Sequence, residues 1–174
     1  ITKIGGTLTV TPAPLTITAD NASRLYGDAN PAFSASFSGL VNGDAASVVS
    51  GLGFSTPATA ASDIGSYAVA LTGGAASNYA ITKIDGALTV NPAPLFITAD
   101  SGSRLYGSAN PVLSASYHGL KNGDASSVVT GLTLATAATS ASDVGNYAIH
   151  LSGGSAANYT VTDIDGAMVV LPAP

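Results

Sequence analysis

Leu15-Thr16-Ile17-Thr18-Ala19 alternates apolar and hydroxyl-bearing side chains, the mark of a strand with one face buried and one wet. Phe33 to Leu40, Leu52 to Thr56 and Tyr67 to Leu71 read likewise, the last placing Tyr67, Val69 and Leu71 on one face. Tyr79 and Ile81 share one parity, whereas Ile84, Leu88 and Val90 share the other. A shift of phase beside Asp85-Gly86 predicts a bulge or tight turn there. Asp44-Ala-Ala-Ser-Val-Val-Ser-Gly51 breaks the alternation. An acid at its start and a glycine at its end predict a short helix over 44–50, and its counterpart over 124–130. Asn42-Gly43 and Gly73-Gly74 mark turns.

The pattern then repeats. Pro12, Pro92 and Pro172 recur at intervals of 80 residues, and 15–94 aligned on 95–174 without a gap agree at about 51 of 80 positions. "SRLYGDANP" at 23–31 answers "SRLYGSANP" at 103–111, and "ASDIGSYAVAL" answers "ASDVGNYAIHL". Residues 1–14 match 81–94 and read as the last strand and linker of a preceding repeat, so the chain is expected to be a window on a longer array. The expected modules are 15–94 and 95–174. Pro92-Ala93-Pro94 is expected to join them, because a proline without an N–H suits a joint better than the middle of a ladder. Ile1 to Val10 would then be a strand without partners, open to pairing with another chain.

About six short strands in 80 residues, with turn signals every 8–12, predict a mainly β chain of two small sandwich modules. Asp63-Ile-Gly-Ser-Tyr67 and Asp143-Val-Gly-Asn-Tyr147 have the order of the tyrosine corner of immunoglobulin-like sandwiches, where the Tyr hydroxyl bonds backbone a few residues upstream. A β-grasp module, in a ββαβββ order with the 44–50 helix, is the alternative.

Charge and composition narrow the function classes. All 10 acidic residues are Asp, against 5 Lys and Arg, giving a net charge of −5. That balance argues against a nucleic-acid surface, which needs clustered cations. With 46% hydrophobic and 9% charged residues the chain is not of disordered composition. No apolar run approaches the roughly 18–20 residues of a membrane span. Cysteine is absent, which removes disulfides and thiolate chemistry.

"LYGDANPAFSASFSGLVNGD", "SDIGSYAVAL" and "NYAITKIDGALTVNPAPL" together resemble the MBG domain, YGX type, of bacterial surface proteins. The resemblance covers both copies, and the triplets Tyr26-Gly27-Asp28 and Tyr106-Gly107-Ser108 carry it. It implies a tandem module of filamentous-haemagglutinin-like and other long adhesins, extracellular and held at the cell surface or released into biofilm matrix. It implies no catalytic residue.

The residues themselves offer little chemistry. His118 and His150 stand where the other copy has Ser38 and Ala70, which reads as surface variation rather than as a base for a nucleophile. No enzyme and no resident cofactor are expected. Calcium finds only weak candidates in Asp28, Asn30, Asp163 and Asp165, pairs that do not recur in both copies. Tyr26 and Tyr106, with Arg24 and Arg104 before them, are candidates to face a ligand; alternatively the arginines pair with an Asp inside the module. Tyr67, Tyr147, Asp63, Asp143, Pro92 and Pro94 are expected to be structural. The expected partners are neighbouring repeats, with surface polysaccharide or another adhesin chain as further candidates. The expected function is a stalk or spacer that projects a binding region. A compact module of this size would add roughly 30–40 Å. A carbohydrate- or protein-binding module acting by multivalency is the alternative.

Overall fold

The computed structural model describes residues 4–174. The protein is mainly β. The first repeat contributes β1 (Ala13–Ala19), β2 (Ala22–Leu25), β3 (Ala35–Ser38), β4 (Ser50–Ser55), β5 (Gly65–Ala75), β6 (Tyr79–Ile84) and β7 (Gly86–Asn91). The second contributes β8 (Ala93–Ala99), β9 (Gly102–Leu105), β10 (Ala115–His118), β11 (Thr133–Thr136), β12 (Gly145–Ser152), β13 (Tyr159–Ile164) and β14 (Gly166–Leu171).

Each repeat builds two sheets. In the first these are β3-β1-β6 and β2-β7-β5-β4; in the second, β10-β8-β13 and β11-β12-β14-β9. The alternation read along Leu15 to Ala19 places Leu15, Ile17 and Ala19 inward from one sheet, against Val69, Leu71 and Leu88 from the other. Leu95, Ile97, Ile149, Met168 and Val170 do the same in the second repeat, each 1% exposed or less. Burying a side chain of this size stabilises by about 1.5–3 kcal/mol, so these residues dominate each core. Two sheets closing on one core make a sandwich. Pairing is mixed: β1 and β3 are antiparallel, but β1 runs parallel to β6 and β8 parallel to β13.

Several expectations are corrected. The helices expected at 44–50 and 124–130 are single 3-10 turns, Ala46–Val48 and Ser126–Val128. Asp44 does not cap the first of them; the N-cap is Ala45, without a side-chain hydrogen bond. Among the described residues these are the only helices, so nothing lies across a sheet as a β-grasp module requires. Ile84 shares its parity with Leu88 and Val90 but lies across the crossing at Asp85 and is 48% exposed, whereas those two are buried. The short strands β2 and β9 escaped the pattern because their inward residue is an arginine.

Pro92-Ala93-Pro94 is tighter than a linker. β7 runs to Asn91 and β8 begins at Ala93, so Pro92 alone separates them. Ala93 donates to the carbonyl of Asn158, and Pro94 pairs with Thr160 in the parallel ladder. Of the expected unpartnered strand at 1–10, residues 1–3 lie outside the described residues. Residues 4–10 form no strand, and Ile4, Leu8 and Val10 are 86–93% exposed.

The phase shift at Asp85-Gly86 is where the chain leaves one sheet for the other. β6 ends at Ile84 and β7 starts at Gly86, while Asp85 accepts the Leu71 amide at 3.3 Å. Glycine is required here by space. A Cβ on Gly86 would stand 2.4 Å from the carbonyl oxygen of Ala19, and one on Gly166 2.3 Å from that of Ala99.

By packing the chain divides into two compact units. Among the described residues one comprises 4–24, 29–59 and 65–90; the other comprises 25–28, 60–64 and 91–174. The second unit therefore includes the Tyr26-Gly27-Asp28 triplet.

Gly86→Ala and Gly166→Ala should each lower unfolding free energy by about 1–3 kcal/mol, the cost of overpacking against backbone. Urea denaturation reads this directly; a change within about 0.5 kcal/mol would show that the crossing is not tight.

Candidate functional site

The most specific chemistry gathers around the Tyr-Gly-X triplets, and it begins with the arginine two residues before each. Arg104 is 6% exposed. Its Nε donates to Asn110 Oδ1 at 2.7 Å, Nη1 to the Leu105 carbonyl at 3.1 Å, and Nη2 to the Thr139 carbonyl. Asn110 in turn donates to the carbonyl of Ala138 at 2.6 Å. Arg24 makes the same bonds to Asn30, at 2.8 Å, and to the carbonyl of Thr59. The five N–H groups of a guanidinium suit this task, because one planar fork can tie several carbonyls. Both arginines are buried, and the partners of Arg104 are an amide oxygen and carbonyls rather than an Asp.

These bonds fix the turn that follows. Gly107 donates to the Ser140 carbonyl, Tyr106 to Leu171 and Ser108 to Leu105; Gly27, Tyr26 and Asp28 repeat the set with Ala60, Asn91 and Leu25. Both glycines take φ +83°, which favours glycine.

The two tyrosines meet different fates. Tyr26 is 5% exposed and Tyr106 is 47% exposed. Within the second unit the Tyr26 hydroxyl donates to Asp124 Oδ2 at 3.2 Å, and its ring meets that of Tyr159 edge-on at 5.4 Å. The Tyr159 hydroxyl donates to the same carboxylate oxygen at 2.6 Å and accepts the Lys121 amide at 2.9 Å. Lys121 Nζ pairs with Asp28 at 3.2 Å, Asn122 donates to the Ala60 carbonyl, and Asn158 bonds Asp63 and the Ile64 amide. Tyr26 is therefore an anchor and offers no open platform for a sugar.

Burial, then the bond to Asp124, pushes the Tyr159 phenol up to about 12. In the first unit Tyr79 donates to Asp44 at 2.7 Å and accepts the Val41 amide at 3.1 Å. That amide favours phenolate, but the Asp44 carboxylate and burial outweigh it, and Tyr79 is also raised. Pairing of Asp44 with Tyr79 was not anticipated from sequence. The only signal was that both recur, 35 residues apart, in each copy.

The other candidates serve local structure. Tyr147 donates to the Asp143 carbonyl at 3.0 Å, the corner geometry, and Tyr67 holds the matching place in β5. Asp20 accepts Ser34 and Ser36, each at 2.6 Å, which holds its carboxyl below the usual range; Ser116 and Ser114 do the same for Asp100. Of the calcium candidates, Asn30 is engaged by Arg24, Asp28 by Lys121, and Asp165 by His150 at 2.7 Å; Asp163 lies on β13. Among the described residues no group of three or more acids or histidines is placed to hold a metal ion. His118 is exposed on β10.

A family profile described as the MBG domain (YGX type) matches residues 15–89 and 95–169. No curated protein matches the chain.

A raised phenol loses its stabilising effect at high pH. Tyr159 contributes fully below its ordinary value near 10, and the contribution disappears between pH 10 and about 12. Absorbance titration of the 7 tyrosines should therefore show a component near 12 that Tyr159→Phe removes. Titration of every phenol near 10 would contradict the buried pairing.

Proposed function

The chain belongs to the MBG domain family, YGX type, and from that premise we propose that its repeats are spacers in the stalk of a surface adhesin. Tandem MBG repeats are a repeat module of adhesin-like surface proteins and typical of extracellular ones; they are a structural type of module rather than an enzyme family. No helix among the described residues is long and apolar enough to cross a membrane.

The observation that carries the spacer reading is the joint. One residue, Pro92, separates β7 from β8, and proline fixes φ near −65°. A joint this short has few conformations to lose, which suits a part whose task is reach. The polar groups around the first triplet are spent on internal bonds, which puts the spacer reading ahead of a repeated glycan- or protein-binding module. Neighbouring repeats are accordingly the partners proposed first, with polysaccharide or another adhesin chain as the alternative, and the setting is the cell surface or its matrix.

Scattering on a series with two, three and four repeats tests this. The maximum dimension should grow by a constant step of roughly 30–40 Å per repeat, the size of one compact module. A dimension that fails to grow in step contradicts a spacer. A glycan array or pull-down in which affinity climbs with repeat number, without such growth, would favour the multivalent module.

A further inference from the structure

In the first unit, Val10 to Ala13, Val41, Asn42, Asp44, Ser77, Asn78 and Tyr79 line a cavity of about 330 Å³. Its key residues are those that hold the Tyr26-Gly27-Asp28 turn in the second unit, displaced by one repeat. Asp44 corresponds to Asp124, Tyr79 to Tyr159, Asn42 to Asn122 and Asn78 to Asn158. The bond that prepares the receiving carboxylate is the same in both, Tyr79 to Asp44 at 2.7 Å and Tyr159 to Asp124 at 2.6 Å.

We propose that this cavity is a socket for the Tyr-Gly-X turn of another repeat of the same kind, a role that the Tyr106-Gly107-Ser108 turn of a second copy of the chain can fill. Three observations support the pairing.

The turn is built before it docks. Tyr106, Gly107 and Ser108 make the backbone bonds that Tyr26, Gly27 and Asp28 make, at the same glycine φ of +83°. Yet Tyr106 is 47% exposed where Tyr26 is 5% exposed. A preformed turn loses little conformational freedom on binding, so the ring can contribute most of its burial to affinity.

The glycine fits a close approach. A Cβ on Gly27 would meet Lys121 Cβ at 2.4 Å, whereas around Gly107 nothing lies within 4 Å. The second triplet thus keeps open the space that the first fills.

Charge is matched. Where Asp28 follows Tyr26-Gly27, the receiving surface carries Lys121, at 3.2 Å. Where Ser108 follows Tyr106-Gly107, the proposed socket carries neutral Val41 at the position of Lys121. A neutral turn meets a neutral rim, so no charge is left unpaired.

In the docked state the Tyr106 hydroxyl would donate to Asp44, with its ring edge-on to Tyr79. Asn78 would reach Asp143 and the Val144 amide, as Asn158 reaches Asp63 and that of Ile64. The contact is heterologous, turn to socket, so it propagates from copy to copy. It serves equally a spacer array and a binding array.

Sedimentation velocity on the full chain up to about 1 mM tests the proposal, with two variants at exposed positions. Tyr106→Ala removes the turn's anchor and Asn78→Arg blocks the socket. The unsubstituted chain should associate reversibly into dimers and longer species. Each variant alone should associate at least about 10-fold more weakly, as loss of a central aromatic anchor implies. Mixed, the two should form heterodimers and nothing larger, because one intact turn then meets one intact socket. Unchanged far-UV circular dichroism and urea midpoints would certify the folds. Monomer throughout for the unsubstituted chain, or a mixture that fails to pair, overturns the proposal. So does undiminished association in either variant, which would point instead to the exposed apolar residues Ile4, Leu8 and Val10.

Discussion

A guanidinium buried at the edge of each sandwich organises the rest of its surface. Arg104 ties Asn110, the Leu105 carbonyl and the Thr139 carbonyl into one cluster, and Asn110 extends it to Ala138. Five residues that sequence separates by up to 35 positions are thereby fixed together. A charge this deeply buried is costly unless its donors are satisfied, and substitution would leave several carbonyls without partners. The Tyr-Gly-X turn hangs from this cluster, with Gly107 bonded to Ser140 beside Thr139. The triplet that defines the family is the visible end of a buried hydrogen-bond network.

Around that anchor the sandwich is held by ordinary means. The inward residues of β1 and β8 oppose those of β5, β7, β12 and β14, and steric limits decide where the chain may cross. Gly86 and Gly166 permit the crossing because only a hydrogen fits beside the carbonyls of Ala19 and Ala99. Pro92 then passes the chain from one repeat's last strand to the next repeat's first in a single residue. Polar side chains are consumed within the repeat: Asp20 by two serines, Asp85 by an amide, Asp44 by a phenol. This is how a chain with 9% charged residues can be rich in specific bonds and poor in catalytic groups.

Much of this was legible in the sequence, for physical reasons. Alternation at Leu15 to Ala19 and Tyr67 to Leu71 reports a half-buried strand wherever the buried residue is apolar. The same rule failed for β2 and β9, whose buried residue is Arg24 or Arg104, since no hydropathy pattern registers an arginine that faces inward. It failed again at Asp44, where an acid before a short apolar run resembles a helix cap. The carboxylate instead accepts a hydroxyl from 35 residues away, a pairing that depends on the closed sandwich. The repeat itself was unambiguous, but two triplets that share Tyr-Gly concealed unequal surroundings. Tyr26 and Tyr106 differ in exposure because of what lies opposite them, which no local pattern encodes.

The central claim is that the arginine cluster holds the Tyr-Gly-X turn in its docking-ready shape. Amide hydrogen exchange at Gly107, in the full chain with and without Arg104→Lys, tests it most directly. Lysine keeps the charge but lacks the planar fork, so Gly107 should lose at least about 10-fold of its protection while Gly27 in the other repeat keeps its own. Protection at Gly107 that survives the substitution, or a loss shared equally by Gly27, would contradict the account.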